Sequence, residues 1–448
     1  MQPEDLVPHE LIAARLEGRP VDDIERRWLD AGGAGAPPAK GASPEQAGED
    51  LRALAHRLLD ELDALPGPDP AAEPADLDGV RAHWPATWGL PGVPDTEALR
   101  ERLHGAWLGR AAGCVLGKPV EGLPREGIAE ILHSTGTWPL SGYFTARGLA
   151  DDVAARRPWN RRSKATSLVE NIDGMPEDDD LNYPLMALLL LEQHGADLTS
   201  EHVAASWLDL LPAGRTFTAE RVAYRNLLLG LVPPVTATRH NPFREWIGAQ
   251  IRTDLYGWAH PGDVALAAEL AHRDAVVSHV RNGVYGAMFA AAMGAAAVVA
   301  SRVDEVLDAG IAVLPPESRI AGAVREAREL AASEKDWERV LDVLHERHGH
   351  LHWVHVVNNA ALATAALVHG EGDFARTITA VVTGGWDTDS NGATVGGIIG
   401  ALTGASALPR EWTRPLRNRL ATSIPGLDGI GFDTLAARTL ALVPGRAE

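Results

Sequence analysis

Residues 384–404 read GGWDTDSNGATVGGIIGALTG. Two patterns are superimposed here. Asp387, Asp389 and Ser390 crowd oxygen donors just ahead of an apolar run, and Gly392, Gly396, Gly400 and Gly404 recur every four residues through that run. On a helix, each step of four turns about forty degrees past a full circle, so the glycines form a slowly winding stripe. Each costs roughly 1 kcal/mol of helix stability against alanine. Close approach of a second helix along its i±4 row is the usual compensation. The same spacing occurs upstream: Gly105, Gly109, Gly113 and Gly117 repeat it within GAWLGRAAGCVLG. Two glycine-striped helices, with Ala, Val, Ile and Leu between the glycines, are expected rather than two loops that happen to contain glycine.

The rest of the chain agrees. Leu51, Leu54, Leu58, Leu59 and Leu62 fall at spacings of three and four. Helical patterning covers 6–30 and 50–65, with the Gly/Ala/Pro-rich stretch 31–43 between them as a linker and 66–78 as a loop. Residues 1–90 are expected to form a helical N-terminal appendage, and 91–448 the main catalytic domain. Within the latter, helices are expected over about 264–279, 286–300, 319–333, 337–348, 359–368 and 375–382. Asp180 is expected to cap a helix with Pro184 in its first turn. No stretch alternates with period two, and the reading is all-α.

Composition narrows the function. Forty-one Lys and Arg against 61 Asp and Glu give a net charge of −20, which argues against a nucleic-acid backbone as partner. The single cysteine, Cys114, excludes an internal disulfide. The start, MQPED, has no apolar signal core, and the longest apolar run, 284–300, is short and alanine-rich for a membrane span. A cytoplasmic protein without membrane association is the expectation.

A second acidic cluster, Glu177-Asp178-Asp179-Asp180, precedes its own helix. Helix capping and the helix dipole explain one or two of these acids but not four. Packed carboxylates repel, and burying them costs several kcal/mol unless a cation sits between them. An all-oxygen set suits a hard divalent cation, magnesium or manganese. Glu121, in the loop GKPVEG that closes the first glycine helix, is available for proton transfer beside such a site. His279 lies beside the alanine-rich run, and His355, Asn358 and Asn359 make a polar knot in an apolar segment. Buried amides need partners, so this knot orients either a ligand or the backbone.

Taken together, GAWLGRAAGCVLGKPVE (105–121), EDDD (177–180) and GGWDTDSNG (384–392) resemble, in order, the three motifs of the ADP-ribosylglycohydrolase family. The resemblance spans about 95–440. It implies an all-α domain with two divalent cations, Mg2+ or Mn2+, held by Glu177, Asp178, Asp179, Asp387, Asp389 and Ser390. Glu121 and Asp179 are the catalytic candidates. Gly117, His279, Asn358, Gly385 and Trp386 are the substrate-binding candidates. The chain departs from the family pattern at Glu177, Asp180 and Ser390, where threonine is usual, and at Cys114, where aspartate is common. The implied reaction is hydrolysis of the glycosidic bond at ribose C1 of an ADP-ribosylated side chain or a small ribosyl metabolite. The alternatives are a two-metal phosphoester or pyrophosphate hydrolase and an ADP-ribose-binding regulator without turnover.

Overall fold

The computed structural model describes residues 2–38, 42–160 and 162–445; positions 39–41 of the expected linker and the last three residues of the expected main domain lie outside them. Among the described residues there are 22 α-helices and no strand, only isolated bridges. At the centre, helix Thr96–Gly117 runs antiparallel to helix Thr388–Thr403, in the most extensive helix–helix contact of the molecule. The stripes interlock residue by residue. A Cβ at Gly105, Gly109 or Gly113 would fall on the carbonyl oxygen of Gly400, Gly396 or Gly392 respectively, and the reverse clashes hold as well. Gly117 meets the Thr388 carbonyl instead. Gly404 is not part of the helical stripe: it ends the helix with φ of +86°.

The glycine pair is wrapped by apolar helices. Asn282–Ala297 is buried along its whole length, beginning where Arg281 adopts φ of +40°. It packs on helices Val264–Ala275 and Asp254–Trp258. Helices Arg319–Ser333 and Trp337–His348 match the amphipathic segments of the sequence, and Val356–Gly370 and Phe374–Thr383 extend slightly beyond theirs. The helix from 264 stops at Ala275 rather than His279. No helix among the described residues is long and apolar enough to cross a membrane.

The N-terminal segment forms helices Pro3–Leu16, Asp22–Asp30 and Glu49–Asp63, the first two separated at Gly18 (φ +73°). Their apolar faces (Leu6, Val7, Leu11, Trp28, Leu58, Leu59, Leu62) cluster with Ala219, Val222 and Phe243 of the main body. Buried charges stitch the junction. Arg244 reaches Glu10 at 2.7 Å and Glu17 at 2.9 Å, while Arg319 reaches Glu73 at 2.8 Å and Glu245 at 2.7 Å. Breaking one side of such a pair strands a buried charge, so this segment is braced onto the domain.

Candidate metal centre and cleft

Three chain segments deliver acids to one place. Helix Asp179–His194 starts at Asp178, whose side chain accepts from the Asp180 amide at 3.0 Å. Asp178 is therefore the cap expected of Asp180. Pro184 sits inside this helix, not in its first turn. Lacking an N–H, Pro184 leaves the Asp180 carbonyl four residues earlier without its helical donor. Buried Arg110 fills that gap, donating to the carbonyl at 2.7 Å, and its other nitrogens reach the Asp180 carboxylate, Asp254 and the Ile251 carbonyl. A helical proline and a buried arginine on the glycine helix thus fix the first acidic motif.

The second motif is aimed by its own turn. Gly385 (φ +77°) and Trp386 (φ +58°) reverse the chain ahead of helix Thr388–Thr403. Asp387 is the N-cap residue but makes no side-chain cap bond, so its carboxylate is not tied to the helix end. Asn359 braces the motif, its Oδ1 accepting from the Asp387 amide at 3.2 Å and from Asn391 at 2.6 Å. The third segment is the glycine helix itself, which tightens into a short turn, Lys118–Val120, and delivers Lys118 and Glu121. The Thr388 hydroxyl donates to the Gly117 carbonyl at 2.8 Å, tying the first and second glycine helices together beside the acids.

The two distant acidic motifs meet: Ser390 Oγ donates to Asp180 Oδ2 at 3.3 Å. Two groups of potential ligand atoms result. Glu121, Asp387 and Asp389 each place one carboxylate oxygen within 4.8 Å of the others, and Cys114, Asp178 and Asp180 do the same with one sulfur among them. Burial, reinforced by neighbouring carboxylates, pushes the protons of Glu121, Asp179, Asp387 and Asp180 well above the ordinary carboxylate range, and Asp389 upward as well. Asp178 is the exception. Burial pushes it up too, but the Lys118 ammonium on its Oδ2 and the Asp180 amide outweigh that and lower it.

Most of these acids line a cleft of about 770 Å³. Glu121, Glu177, Asp178, Asp179, Asp387, Asp389 and Ser390 all line it. Asn160 donates to Glu121 Oε2 at 2.6 Å. Glu177 faces the cleft with both oxygens engaged: Oε1 by the Ser423 amide at 2.9 Å and by Asn182 at 3.3 Å, Oε2 by Arg215 at 2.6 Å. Aromatic walls come from Phe217, Trp246 and Trp353, and Arg162 lies 5.4 Å from the Phe217 ring centre.

The remaining residues anticipated as substrate contacts lie outside the cleft lining. Gly117 is pressed on the Thr388 backbone. Gly385 abuts the backbone of Leu123 and Arg125, and Trp386 stacks on His345 with ring centres 4.3 Å apart. Asn358 donates to the His352 carbonyl at 3.2 Å, so it is Asn359, its neighbour, that serves the acidic motif. His279 is buried, shares a hydrogen with Ser278 at 2.8 Å, and is held neutral by burial and by Arg252. Its place is one layer behind Glu220, which does line the cleft. Each supports the site or the core through packing. Arg110, Lys118, Asn160 and Arg215 went unassigned in the sequence. Only Lys118 carried a signal: a charged residue directly after a stretch of small, core-forming ones.

The family model for ADP-ribosylglycohydrolase matches residues 95–445. The chain belongs to the ADP-ribosylglycohydrolase family. Comparison with curated protein sequences gives no match. Among solved structures, a chain described as "ADP-ribosylglycohydrolase-related protein complex" is similar at 21% identity and a TM-score of 0.47, over 77% of this chain and 98% of its own. The family match begins at Asp95, the N-cap of the first glycine helix, so the N-terminal brace lies outside the part this family shares.

The donor set of Asp387 and Asp389 with Glu121 beside them fits a hard divalent cation: two buried carboxylates and one half-buried, all oxygen, with no ion pair to a basic side chain among the described residues. The Cys114, Asp178 and Asp180 group fits one poorly. It includes a thiol whose proton burial holds well above the ordinary range, and its two carboxylates already face Lys118 and Arg110.

Proposed function

We propose that this glycohydrolase cleaves the N- or O-glycosidic bond at C1 of an ADP-ribosyl or related ribosyl group, with a divalent cation at the acids lining the cleft. The observation that carries this reading is the convergence of Asp387, Asp389, Ser390, Asp178, Asp179 and Glu121 on one cleft wall. Asp387 and Asp389 would hold the cation, with Asp179 and Ser390 beside them. Such a cation, when bound, orients the ribose hydroxyls and lowers the pKa of attacking water.

The chain's own groups do the rest. Glu121 is positioned by Asn160 through Oε2, which leaves Oε1 for a proton. Beside a cation on Asp387 and Asp389, it is placed to take a proton from attacking water, where general acid–base help is worth roughly 10²–10⁴-fold. Asp179 lines the cleft with no ion pair among the described residues; a bound cation would favour its ionised form, whose charge would offset positive charge developing at C1. Elsewhere in the lining, Arg162 suits a diphosphate, and Trp246, Trp353 and Phe217 offer flat surfaces for a purine.

Mass spectrometry of products from ADP-ribosyl-arginine, ADP-ribosyl-serine, NAD and simple nucleosides, with and without magnesium, tests the proposal. Intact ADP-ribose or free ribosyl product is expected from at least one. Release of AMP or inorganic phosphate instead would replace glycosidic cleavage with phosphoester chemistry.

A further inference from the structure

Among the described residues Lys118 is the one lysine drawn into the acidic centre, and its position has consequences for how many metal ions the centre takes. Its side chain is almost wholly buried, at 8% exposure, and its ammonium sits on Asp178 Oδ2. The other oxygen of Asp178 accepts the Asp180 amide. Asp180 is likewise served on both oxygens, by Arg110 at 3.5 Å and by Ser390 at 3.3 Å. Glu177, the third acid of that motif, is tied to Arg215, Asn182 and Ser423. Three of the four acids of the first motif are therefore matched by donors built into the chain, and Asp179 is not. Nor is the second motif. Among the described residues Asp387 has no basic partner, Asp389 accepts the Ser390 amide of its own turn, and Glu121 accepts Asn160.

We propose that Lys118 is a resident cation of this centre, standing where a second metal ion would otherwise bind, so that the chain holds one divalent ion, on Asp387 and Asp389 beside Glu121. The inference rests on the metal-dependent reading above for the presence of any ion. Three features support it. The ammonium occupies an Asp178 oxygen, and a divalent ion on that same carboxylate would face it as a like charge in a site with little water to screen it. The sulfur of Cys114, 3.9 Å from Asp180, stands among those ligand positions, and sulfur is a poor ligand for a hard cation. Lys118 also follows the C-terminus of helix Thr96–Gly117, where the dipole favours a positive charge, so the fold stabilises an ammonium at this place independently of the acids.

The test is a count of bound ions, which needs no substrate. Wild-type protein is stripped with chelator, reloaded with Mn2+, desalted, and measured by elemental analysis and electron paramagnetic resonance. One Mn2+ per chain with the isolated six-line spectrum of a mononuclear ion is expected. Lys118→Met, which keeps the stem and removes the charge, is expected to take two ions and to give an exchange-coupled spectrum. Lys118→Arg is expected to remain at one. Two ions in the wild type overturn the proposal while leaving metal dependence standing, and no bound ion overturns both. One ion in wild type and in Lys118→Met alike would remove Lys118 as the reason. Should the methionine variant not fold, the wild-type count and spectrum still decide.

Discussion

Replacing Gly396 with alanine isolates the feature on which the fold turns. Two effects oppose each other. Alanine is the better helix former by about 1 kcal/mol. Against that, the new Cβ would land on the Gly109 carbonyl oxygen of the facing helix, closer than real Cβ atoms approach anything. No rotamer change relieves this, because the obstacle is backbone on both sides. The helices must part, by about 1 Å or more to restore ordinary contact, and a gap of that size forfeits a quarter to a half of the dispersion attraction between facing atoms. Overpacking of this kind costs about 1–3 kcal/mol and sometimes more. With the backbone unable to yield, the upper end applies and the net loss is about 2 kcal/mol. Scaled to 448 residues, that lowers the melting temperature by roughly 2 °C. Gly322→Ala is the internal control: Gly322 lies within helix Arg319–Ser333 and an added Cβ there would meet nothing within 4 Å, so only the propensity gain remains and the melting temperature should rise slightly. Calorimetry on the two variants should give shifts of opposite sign. A Gly396→Ala protein as stable as wild type would refute the interlocked-stripe account.

Three further outcomes are expected. Glu121→Gln should lower turnover by roughly 10²–10⁴-fold with substrate binding retained, read by steady-state kinetics on whichever ribosyl substrate is cleaved; full activity would remove Glu121 from proton transfer. Asp387→Asn should weaken divalent-ion affinity in titration calorimetry, and an unchanged isotherm would exclude Asp387 as a ligand. The metal-free protein should lose stability as pH rises from about 4 through neutrality. Burial and mutual repulsion raise the proton affinity of Glu121, Asp179 and Asp387 in the folded state, so the native form binds more protons than the unfolded chain, and stability falls with pH across that interval. Excess Mg2+ should flatten the slope. A metal-free melting temperature that climbs over the same range would contradict the electrostatics.

The fold and the acidic centre were legible in the sequence for different reasons. Glycine at every fourth position through apolar helices has one economical explanation, backbone-to-backbone contact, and its antiparallel pairing puts Gly117 against Thr388 at the site end. Once those helix ends coincide, Glu121 and Asp387 must be neighbours. The boundaries of helices 319–333 and 337–348 were equally readable, because polar caps Ser318 and Asp336 mark their starts. What could not be read was the direction of individual side chains. Asn358 and Asn359 are equivalent in sequence, yet helical geometry turns only the second toward Asp387. Trp386 and Gly385 adjoin the acids along the chain but, with positive φ at both, act as the hinge and not the lining. His279 lies one layer too deep.

The buried cations show why the acids alone misstate the site. From sequence, Glu177-Asp178-Asp179-Asp180 is a block of four negative charges asking for metal. In three dimensions Glu177 belongs to Arg215, Asp178 to Lys118, and Asp180 to Arg110, and the need for Arg110 traces to a proline four residues beyond Asp180. Only Asp179 keeps its face to the cleft without an ion pair among the described residues. A buried carboxylate matched to a lysine or arginine has already met most of its desolvation cost, so it has less to gain from an added ion than one without a basic partner. Metal demand therefore concentrates on Asp387, Asp389, Asp179 and Glu121, the cleft acids with no ion pair to a basic side chain among the described residues. By this reasoning, neutralising Asp389 should weaken ion binding more than neutralising Glu177, even though both belong to acidic motifs that look alike on paper.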